Sequence, residues 1–237
     1  MNEKERQNEK GYSHPISQAI REINTIFFDM GFSFADGPEL ETEYYNFDSL
    51  NVPKDHPSRD MQDTFWIDDT HVMRTHTSPV QVRYMEHREP PLRIIVPGKA
   101  FRNEATDATH EAEFHQVEGL VVEEGATLAT LKKTLETFFS KFFGRDVPIR
   151  FRPGHFPFTE PSVEIDILHK SAKGEEWLEV FGGGMVHPVV LKNAGIDPEK
   201  HRGFAFGGGI ERLLMIRHEI DDIRLFHSGD LRFTTQF

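Results

Sequence analysis

Apolar residues recur with the period of a helix in several parts of the chain. Between residues 13 and 30 they form one stripe, and Gly31 would end that helix. The stripe consists of Ile16, Ile20, Ile23, Phe27 and Met30. A second stripe consists of Leu128, Leu131, Leu135, Phe138, Phe139 and Phe142. Shorter helices are predicted after Ser78, which can cap a first turn, and over residues 210–220.

Runs rich in β-branched and aromatic residues predict strands between these helices. They cover residues 63–67, 71–76, 91–104, 114–124, 147–153, 162–168, 175–186 and 203–206. Most are joined by hairpin turns and not by regularly alternating helices, so the sequence predicts an α+β fold with an antiparallel sheet flanked by helices. The glycine clusters at 182–184 and 207–209 lack the Lys-Ser/Thr of a P-loop and the spacing of a dinucleotide-binding turn.

The composition limits the possible partners of this chain. Its 237 residues carry a net charge of −12, so RNA phosphates would have to meet a local basic patch or another chain. It has no cysteine, which excludes disulfides and thiolate metal sites. No run approaches the roughly 18 apolar residues of a membrane helix, and the polar start is unlike a signal peptide. These features favour a cytoplasmic protein with a polar tail over residues 1–11 and one domain over residues 12–237.

The region between residues 100 and 120 has polar residues where a half-buried sheet would carry apolar ones. Alternate residues of a strand share a face, so Arg102 and Glu104 would point the same way, as would Gln116 and Glu118 on the return strand. A hairpin would bring the four side chains together. One cation, two carboxylates and an amide on one face predict a platform for a ligand. The simpler interpretation is an ion pair across the sheet.

Three segments, in order along the chain, resemble the signature motifs of class II aminoacyl-tRNA synthetases. The first is a helix and strand that end at Pro38, the second carries Phe101-Arg102-x-Glu104, and the third runs through the glycines at 207–209 into Ile210-Glu211-Arg212. The segments "RTHTSP", "DATHEAEFHQVEGL", "FPFTEPS", "GMVHP" and "GFAFGGGIER" narrow the match. Residues 12–237 are similar to the catalytic core of bacterial phenylalanyl-tRNA synthetase α subunits. The resemblance implies a class II synthetase-like antiparallel β-sheet flanked by helices.

The resemblance also implies a two-step reaction with ATP as substrate. The carboxylate of L-phenylalanine attacks the α-phosphate, and a ribose hydroxyl at the 3′ end of tRNA(Phe) then accepts the phenylalanyl group. Because that carboxylate is ionised at neutral pH, the first step needs placement and charge stabilisation. Arg102 would bind the α-phosphate, Glu104 the adenine amino group and Arg212 the γ-phosphate, while His110 would close over the phosphates. Arg102 and Arg212 are the expected catalytic residues.

A pocket for phenylalanine and a site for Mg²⁺ follow from the same resemblance. Its expected lining is Phe156 and Phe158 beside the ring, Ala205 under the para position, Gln116 and Glu118 at the ammonium group, and His76 and Ser78 at the polar end. Mg²⁺ prefers carboxylate oxygen and water, and Glu160 is the expected ligand, with Glu179 as a second candidate.

Each of these residues also has a simpler interpretation. Phe156 and Phe158 could belong to the core of a chain with 21 phenylalanines. Ser78 could be a helix cap, and His76 a core histidine with its hydrogen bonds satisfied. Glu160 and Glu179 could be surface acids.

Two other functions stay open at this point. The chain could be a synthetase-like module that binds an amino acid or another subunit without charging tRNA, or a ligase that passes an aminoacyl-adenylate to a different acceptor. Against the first, every position that would carry the chemistry has the expected residue. Pyrophosphate exchange compared with tRNA charging separates the three.

The resemblance implies a heteromeric assembly. The α subunit would join a larger β subunit in an (αβ)₂ complex, with the stripe of the first helix and the Pro38 segment at the class II interface. The stripe could instead belong to the protein's own core. Bacterial α subunits usually carry an N-terminal coiled-coil arm, whereas only a short polar stretch precedes the first helix here. The final "LRFTTQF" matches the ending of those subunits.

Overall fold

The computed structural model describes residues 11–60, 63–171 and 174–237, so the expected tail lies almost wholly outside the described residues. The helices are α1 (Pro15–Asp29), α2 (Glu43–Asn46), α3 (Pro79–Met85), α4 (Leu128–Phe143), α5 (Pro188–Asn193), α6 (Ile210–His218) and α7 (Leu231–Thr234). The strands are β1 (Ser33–Phe34), β2 (Leu40–Thr42), β3 (His71–Met73), β4 (Leu92–Phe101), β5 (Glu113–Glu123), β6 (Ile149–Phe156), β7 (Thr159–Ser171), β8 (Gly174–Val186) and β9 (Arg202–Gly209).

A seven-stranded sheet in the order β1-β4-β5-β9-β8-β7-β6 forms the centre of the fold. Strand β1 pairs with β4 in parallel, and the other neighbours pair antiparallel. Strands β2 and β3 form a separate two-stranded sheet. The predicted α+β class with an antiparallel sheet is therefore confirmed. In the described parts of the chain, none of the helices has the length and apolar character needed to cross a bilayer.

Two hydrophobic clusters stabilise the sheet. In the first, α1 and α4 meet through Phe27 and Phe138, whose rings stack 4.8 Å apart. The second includes Val82 of α3 and Val190 of α5. Leu50, Val52 and Val186 of this second cluster also line a large cavity. The cavity is thus built on the same framework as the core.

The strand predictions fail at two places near this cavity. Residues 63–67 form no strand, and Trp66 makes only an isolated bridge to Val72. Strand β4 ends at Phe101, so Arg102 and Glu104 lie beyond it and do not share a strand face. A polar loop begins there, and the backbone N–H of Arg102 donates at 2.9 Å to Ala112 O, in the residue that precedes β5.

The stripe of α1 was expected at a partner interface, and this prediction is wrong. Ile16, Ile23 and Phe27 lie in the protein's own core. The exposed apolar residue of this helix is Phe28, with 76% of its surface accessible. Helical periodicity shows which residues share a face, but it does not show whether the chain itself or a partner covers that face.

Candidate active site

A cavity of about 700 Å³ lies over the middle of the sheet. Among the residues singled out from the sequence, those that line it are His76, Ser78, Arg102, Glu104, Gln116, Glu118, Phe156, Phe158, Glu179 and Ala205. Strands β5, β8 and β9 and the end of β6 contribute some of these side chains, and the segment before α3, the loop after β4 and the turn between β6 and β7 contribute the others. Glu160, His110 and Arg212 do not line this cavity. His56 and Ser58, which the sequence reasoning missed, lie on its wall and are 2.7 Å apart between Nδ1 and Oγ.

The two glycine clusters form part of the cavity wall. Gly182 of β8 pairs with Gly207 of β9, and both line the cavity. A Cβ at Gly182 would lie 2.6 Å from Phe156 Cζ, and one at Gly207 would lie 2.5 Å from Glu118 Cγ. Glycine is therefore needed at both positions because any side chain would displace these neighbours. The pairing of the two clusters could not be predicted from the sequence, because it depends on the strand order.

Glu118 is a buried carboxylate held by neutral donors. Only 6% of its surface is accessible. Its Oε1 accepts a hydrogen bond of 3.0 Å from the backbone N–H of Thr77. Its Oε2 accepts hydrogen bonds from Ser78 Oγ at 2.6 Å and from Gln81 Nε2 at 2.7 Å. Burial raises the pKa of Glu118 above its usual value. No cationic side chain in the described parts of the chain forms an ion pair with it, so a cation in the cavity would meet an uncompensated carboxylate.

Ser78 and Gln81 both contact Glu118. Ser78 precedes α3 but makes no capping hydrogen bond with its side chain. Gln81 was missed from the sequence, although its position three residues after Ser78 places both on one side of the helix. Both donate to the same carboxylate.

Arg102 provides the positive charge in the cavity. Its Nε donates to Thr75 O at 3.2 Å, and its guanidinium lies 5.0 Å from the centre of the Phe114 ring. Its Nη1 is 3.9 Å from Glu104 Oε1, which is too long for a hydrogen bond. The side chain is 41% exposed, towards the cavity, yet its position deep among protein atoms lowers the pKa of Arg102. An arginine stays protonated even so, and an anion would stabilise its charge.

His76 and Gln116 have polar atoms without partners. Within the described residues, His76 Nδ1 and Gln116 Oε1 are buried and form no hydrogen bond. Burial lowers the pKa of His76 to about 3, and the charges of Arg102 and Arg74 act in the same direction. His76 is therefore neutral near pH 7. The interpretation of His76 as a satisfied core histidine is wrong, because a buried polar atom without a partner is unfavourable unless a ligand or water supplies one.

The apolar end of the cavity is formed by aromatic rings. The rings of Phe156 and Phe158 are nearly parallel, 11° apart in plane and 5.9 Å between centroids. Phe158 and Ala205 pack beside the second hydrophobic cluster while they line the cavity. The cavity thus has a flat apolar part and a polar part with both charge signs, as sites for small amphipathic ligands do.

Arg212 and His110 lie together in a second, smaller cavity. It has a volume of about 270 Å³ and is also lined by Thr109, Met215 and Ile223. The side chain of Arg212 makes no hydrogen bond or ion pair with any residue that the structure describes. His110 is held by Asp107, whose Oδ1 is 3.0 Å from His110 Nδ1. The loop after β4 and the start of α6 thus bring a free guanidinium and an imidazole together.

The two candidate magnesium ligands lie in different places. Glu160 is 72% exposed and pairs with His187 Nε2 at 3.2 Å outside the large cavity. Glu179 lines the cavity and accepts Arg152 Nη2 at 2.9 Å. The described residues contain no group of three or more histidine or acidic side chains that could hold a metal. Mg²⁺ that arrives with a nucleotide needs only one or two protein carboxylates, and the position of Glu179 fits that requirement.

Comparisons with known proteins agree with this geometry. The model of the family "tRNA synthetases class II core domain (F)" matches residues 1–237. The phenylalanine–tRNA ligase α subunit of Alkaliphilus metalliredigens is 58% identical, over 97% of this chain and 70% of its own length. The corresponding subunit of Caldicellulosiruptor saccharolyticus is 54% identical over the same shares. The solved structure of pyrrolysyl-tRNA synthetase from Desulfitobacterium hafniense superposes with a TM-score of 0.71 at 20% identity, covering 92% of this chain and 74% of that one.

Because its sequence identity is low, the similarity to the solved structure shows the fold alone. The curated relatives and the family model together show the family. The protein belongs to the phenylalanine–tRNA ligase α subunits, a family of class II tRNA synthetases.

Proposed function

We propose that the large cavity is where this protein, the catalytic subunit of a phenylalanine–tRNA ligase, activates phenylalanine with ATP before transfer to tRNA(Phe). The observation that carries the proposal is that one cavity contains two separate side chains of opposite charge. Glu118 is a buried carboxylate held by neutral donors, and Arg102 is a guanidinium whose contact with the Glu104 carboxylate, at 3.9 Å, is too long for a hydrogen bond. The ammonium group of an amino acid would supply the counter-charge for Glu118, and the phosphates of ATP would supply that for Arg102.

The amino acid would lie with its ammonium group at Glu118 and its ring in the aromatic part. Oxygen Oε1 of Gln116 accepts a second ammonium hydrogen, which gives this orphaned atom a partner. The flat surface around Gly182 and the rings of Phe156 and Phe158 accommodate a phenyl group. Neutral His76 offers a ring nitrogen to the polar end of the substrate without adding charge.

ATP would extend from the cavity towards Arg212. The guanidinium of Arg102 stabilises the charge that grows on the α-phosphate oxygens as the carboxylate attacks. Glu104 accepts from the adenine amino group. Arg212 holds the γ-phosphate from the smaller cavity, where it has no described protein partner, and His110 closes the same end. Substrate placement and charge stabilisation, with no protein base, then account for adenylate formation.

Mg²⁺ would bind with ATP at Glu179, where it would offset phosphate charge. In this proposal Glu179 replaces Glu160, because only Glu179 lines the cavity. Arg152 restrains the Glu179 carboxylate and also hydrogen bonds to Asp166 at 2.7 Å.

A β subunit is the expected partner, in an (αβ)₂ assembly. Exposed apolar side chains near the first motif support an interface there, although the stripe of α1 is not part of it. These are Phe28, Phe34, Leu40 and Tyr44. The net charge of −12 also favours a second chain for binding RNA.

The test compares two assays on the protein purified with its β subunit. Phenylalanine-dependent exchange of pyrophosphate into ATP reports adenylate formation, and charging of tRNA(Phe) reports transfer. The proposal predicts both activities. Exchange without charging would indicate a ligase with another acceptor, and neither activity with retained phenylalanine binding would indicate a binding module.

A further inference from the structure

We propose that Glu211 is a positioning residue that fixes the Arg102 side of the nucleotide site relative to Arg212. The inference rests on the proposed function, which assigns these two arginines to ATP. Glu211 lines neither cavity. It would therefore act only through the residues that it holds.

The carboxylate of Glu211 continues the pairing of two strands beyond the point where their ladder ends. The last register pair between β5 and β9 joins Gln116 to Gly209, and the chain then turns into α6. The next backbone N–H of β5, that of His115, donates instead to both oxygens of Glu211 at 2.9 Å. The side chain of His115 adds a contact of 2.8 Å between Nδ1 and Oε1. With 1% of its surface accessible, Glu211 is fixed at this junction.

This junction connects the two ends of the proposed nucleotide site. On β5, His115 stands between Phe114, over which the Arg102 guanidinium lies, and Gln116, which lines the large cavity. On α6, Glu211 directly precedes Arg212. Because Arg212 has no side-chain partner in the described residues, the first turn of α6 is what sets its position. A carboxylate that ties this turn to β5 thereby sets the spacing between the two guanidinium groups.

A C-terminal segment supports the junction from its other side. His227 Nε2 is 3.6 Å from Glu211 Oε1, and the His227 ring stacks on that of His115. His14 Nε2 contacts Phe226 O at 3.0 Å. The backbone N–H of Ile223 donates to Ala108 O at 2.9 Å, in the loop that carries His110. One segment thus contacts Glu211, α1 and the phosphate-side loop.

The charge of Glu211 is retained in spite of its burial. Burial acts to raise its pKa, but interactions with His115 and His227 are stronger and hold it below the usual value. The same contact raises the pKa of His227. A carboxylate that accepts several N–H groups is a stiffer connection than a neutral side chain, because charge-assisted hydrogen bonds are the stronger ones.

The test uses Glu211→Gln in the complex with the β subunit. The Kd of ATP is measured by calorimetry, and the KM values of ATP and phenylalanine are measured by pyrophosphate exchange. Loss of the charge-assisted hydrogen bonding should raise the Kd and KM of ATP about tenfold. The KM of phenylalanine should rise by less than about threefold, because Gln116 adjoins His115 but Glu118, which holds the ammonium group, lies further along β5. Glu123→Gln, a carboxylate at the far end of the same strand paired with Arg93, is the matched control and should change neither constant.

His115→Asn is the conservative variant, since asparagine keeps a donor near the position of Nδ1 and leaves the backbone N–H in place. It should stay within about threefold of the wild-type Kd for ATP. If Glu211→Gln does not fold, the Kd of ATP is measured for His227→Gln instead, and we expect it to rise about threefold.

An unchanged Kd for ATP in the folded Glu211→Gln variant overturns the proposal. So does a parallel rise in both KM values together with a lower melting temperature, because Glu211 would then only stabilise the fold. If Glu211→Gln is unfolded, an unchanged Kd in His227→Gln overturns it. Wild-type protein that binds ATP but shows no phenylalanine-dependent exchange would refute the proposed function, while the Kd values would still test Glu211. Wild-type protein that does not bind ATP would refute both.

Discussion

Ser78 Oγ donates a hydrogen bond of 2.6 Å to Glu118 Oε2, which connects the start of α3 to the middle of β5. A serine at the start of a helix usually satisfies the free N–H groups of the first turn, but this one makes no such bond. Its hydroxyl instead fixes the buried carboxylate that faces the cavity. The local sequence favours a cap, and the tertiary structure uses the same residue to orient a binding group.

Replacing Arg102 by alanine should abolish adenylate formation without unfolding the protein. The guanidinium is the positive charge of the large cavity, and losing one charge-stabilising donor typically reduces the rate by at least ~10²-fold. Pyrophosphate exchange by the purified complex measures the effect. Arg93→Ala, which breaks the exposed pair with Glu123 at the other end of β4, is the control and should leave exchange intact. Near-normal exchange by Arg102→Ala would show that Arg102 does not bind the phosphate.

His76 should make the fold less stable in acid. The ordinary pKa of histidine is 6.5, and burial lowers that of His76 to about 3. Between these values the unfolded chain binds a proton that the folded chain does not, so stability falls as the pH drops below 6.5. By pH 5 the loss should reach about 2 kcal/mol.

Urea unfolding at pH 7.5 and pH 5 measures this difference. The wild type should lose about 2 kcal/mol more than His76→Gln over that interval. His87→Gln replaces an exposed histidine and should retain the wild-type loss. Equal losses in wild type and His76→Gln would show that His76 is not held neutral by burial.

The sequence was sufficient to predict the sheet class and the long helices, and most of the site residues that it singled out line the cavity. Alternation along β5 placed Gln116 and Glu118 on one face, because that strand is regular. Periodicity could not show that α1 packs inside this chain. The pairing of Gly182 with Gly207 and the contact of Glu211 with His115 depend on which strands become neighbours. Such contacts between distant parts of the chain leave no local pattern.

Ala205 should limit the length of a para substituent on the substrate ring. It lines the cavity and, like Phe158, packs against the second hydrophobic cluster. Ala205→Gly should allow activation of para-chloro-phenylalanine with little change for phenylalanine, at a stability cost on the order of 1 kcal/mol. Ala205→Val should raise the KM for phenylalanine.

Pyrophosphate exchange with both amino acids measures this effect. Ala100→Gly, a fully buried alanine of β4 outside the cavity lining, controls for the general effect of removing a methyl group. If folded, active Ala205→Gly gains nothing for the chloro analogue, Ala205 is not at the para position. The placement of the ring beside Phe156 and Phe158 would then also be wrong.

The chain without its β subunit should charge tRNA(Phe) poorly or not at all. Its net charge of −12 offers little to hold an RNA backbone. Charging assays with and without added β subunit check this expectation. Robust charging by the isolated chain would contradict it and would place the RNA contacts within this subunit.

The central claim is that one cavity holds the ammonium group of phenylalanine at Glu118 and the α-phosphate of ATP at Arg102. Equilibrium binding of each ligand to Glu118→Gln and Arg102→Ala, in the complex with the β subunit, tests it most directly. Glu118→Gln should weaken the binding of phenylalanine at least about 10²-fold, since losing one partner of a buried charge pair costs about 2–5 kcal/mol. The same variant should keep the Kd of ATP within about twofold of the wild-type value. Arg102→Ala should weaken the binding of ATP about tenfold and leave the Kd of phenylalanine unchanged. Loss of the same ligand in both variants, or of neither ligand in either variant, would contradict this account.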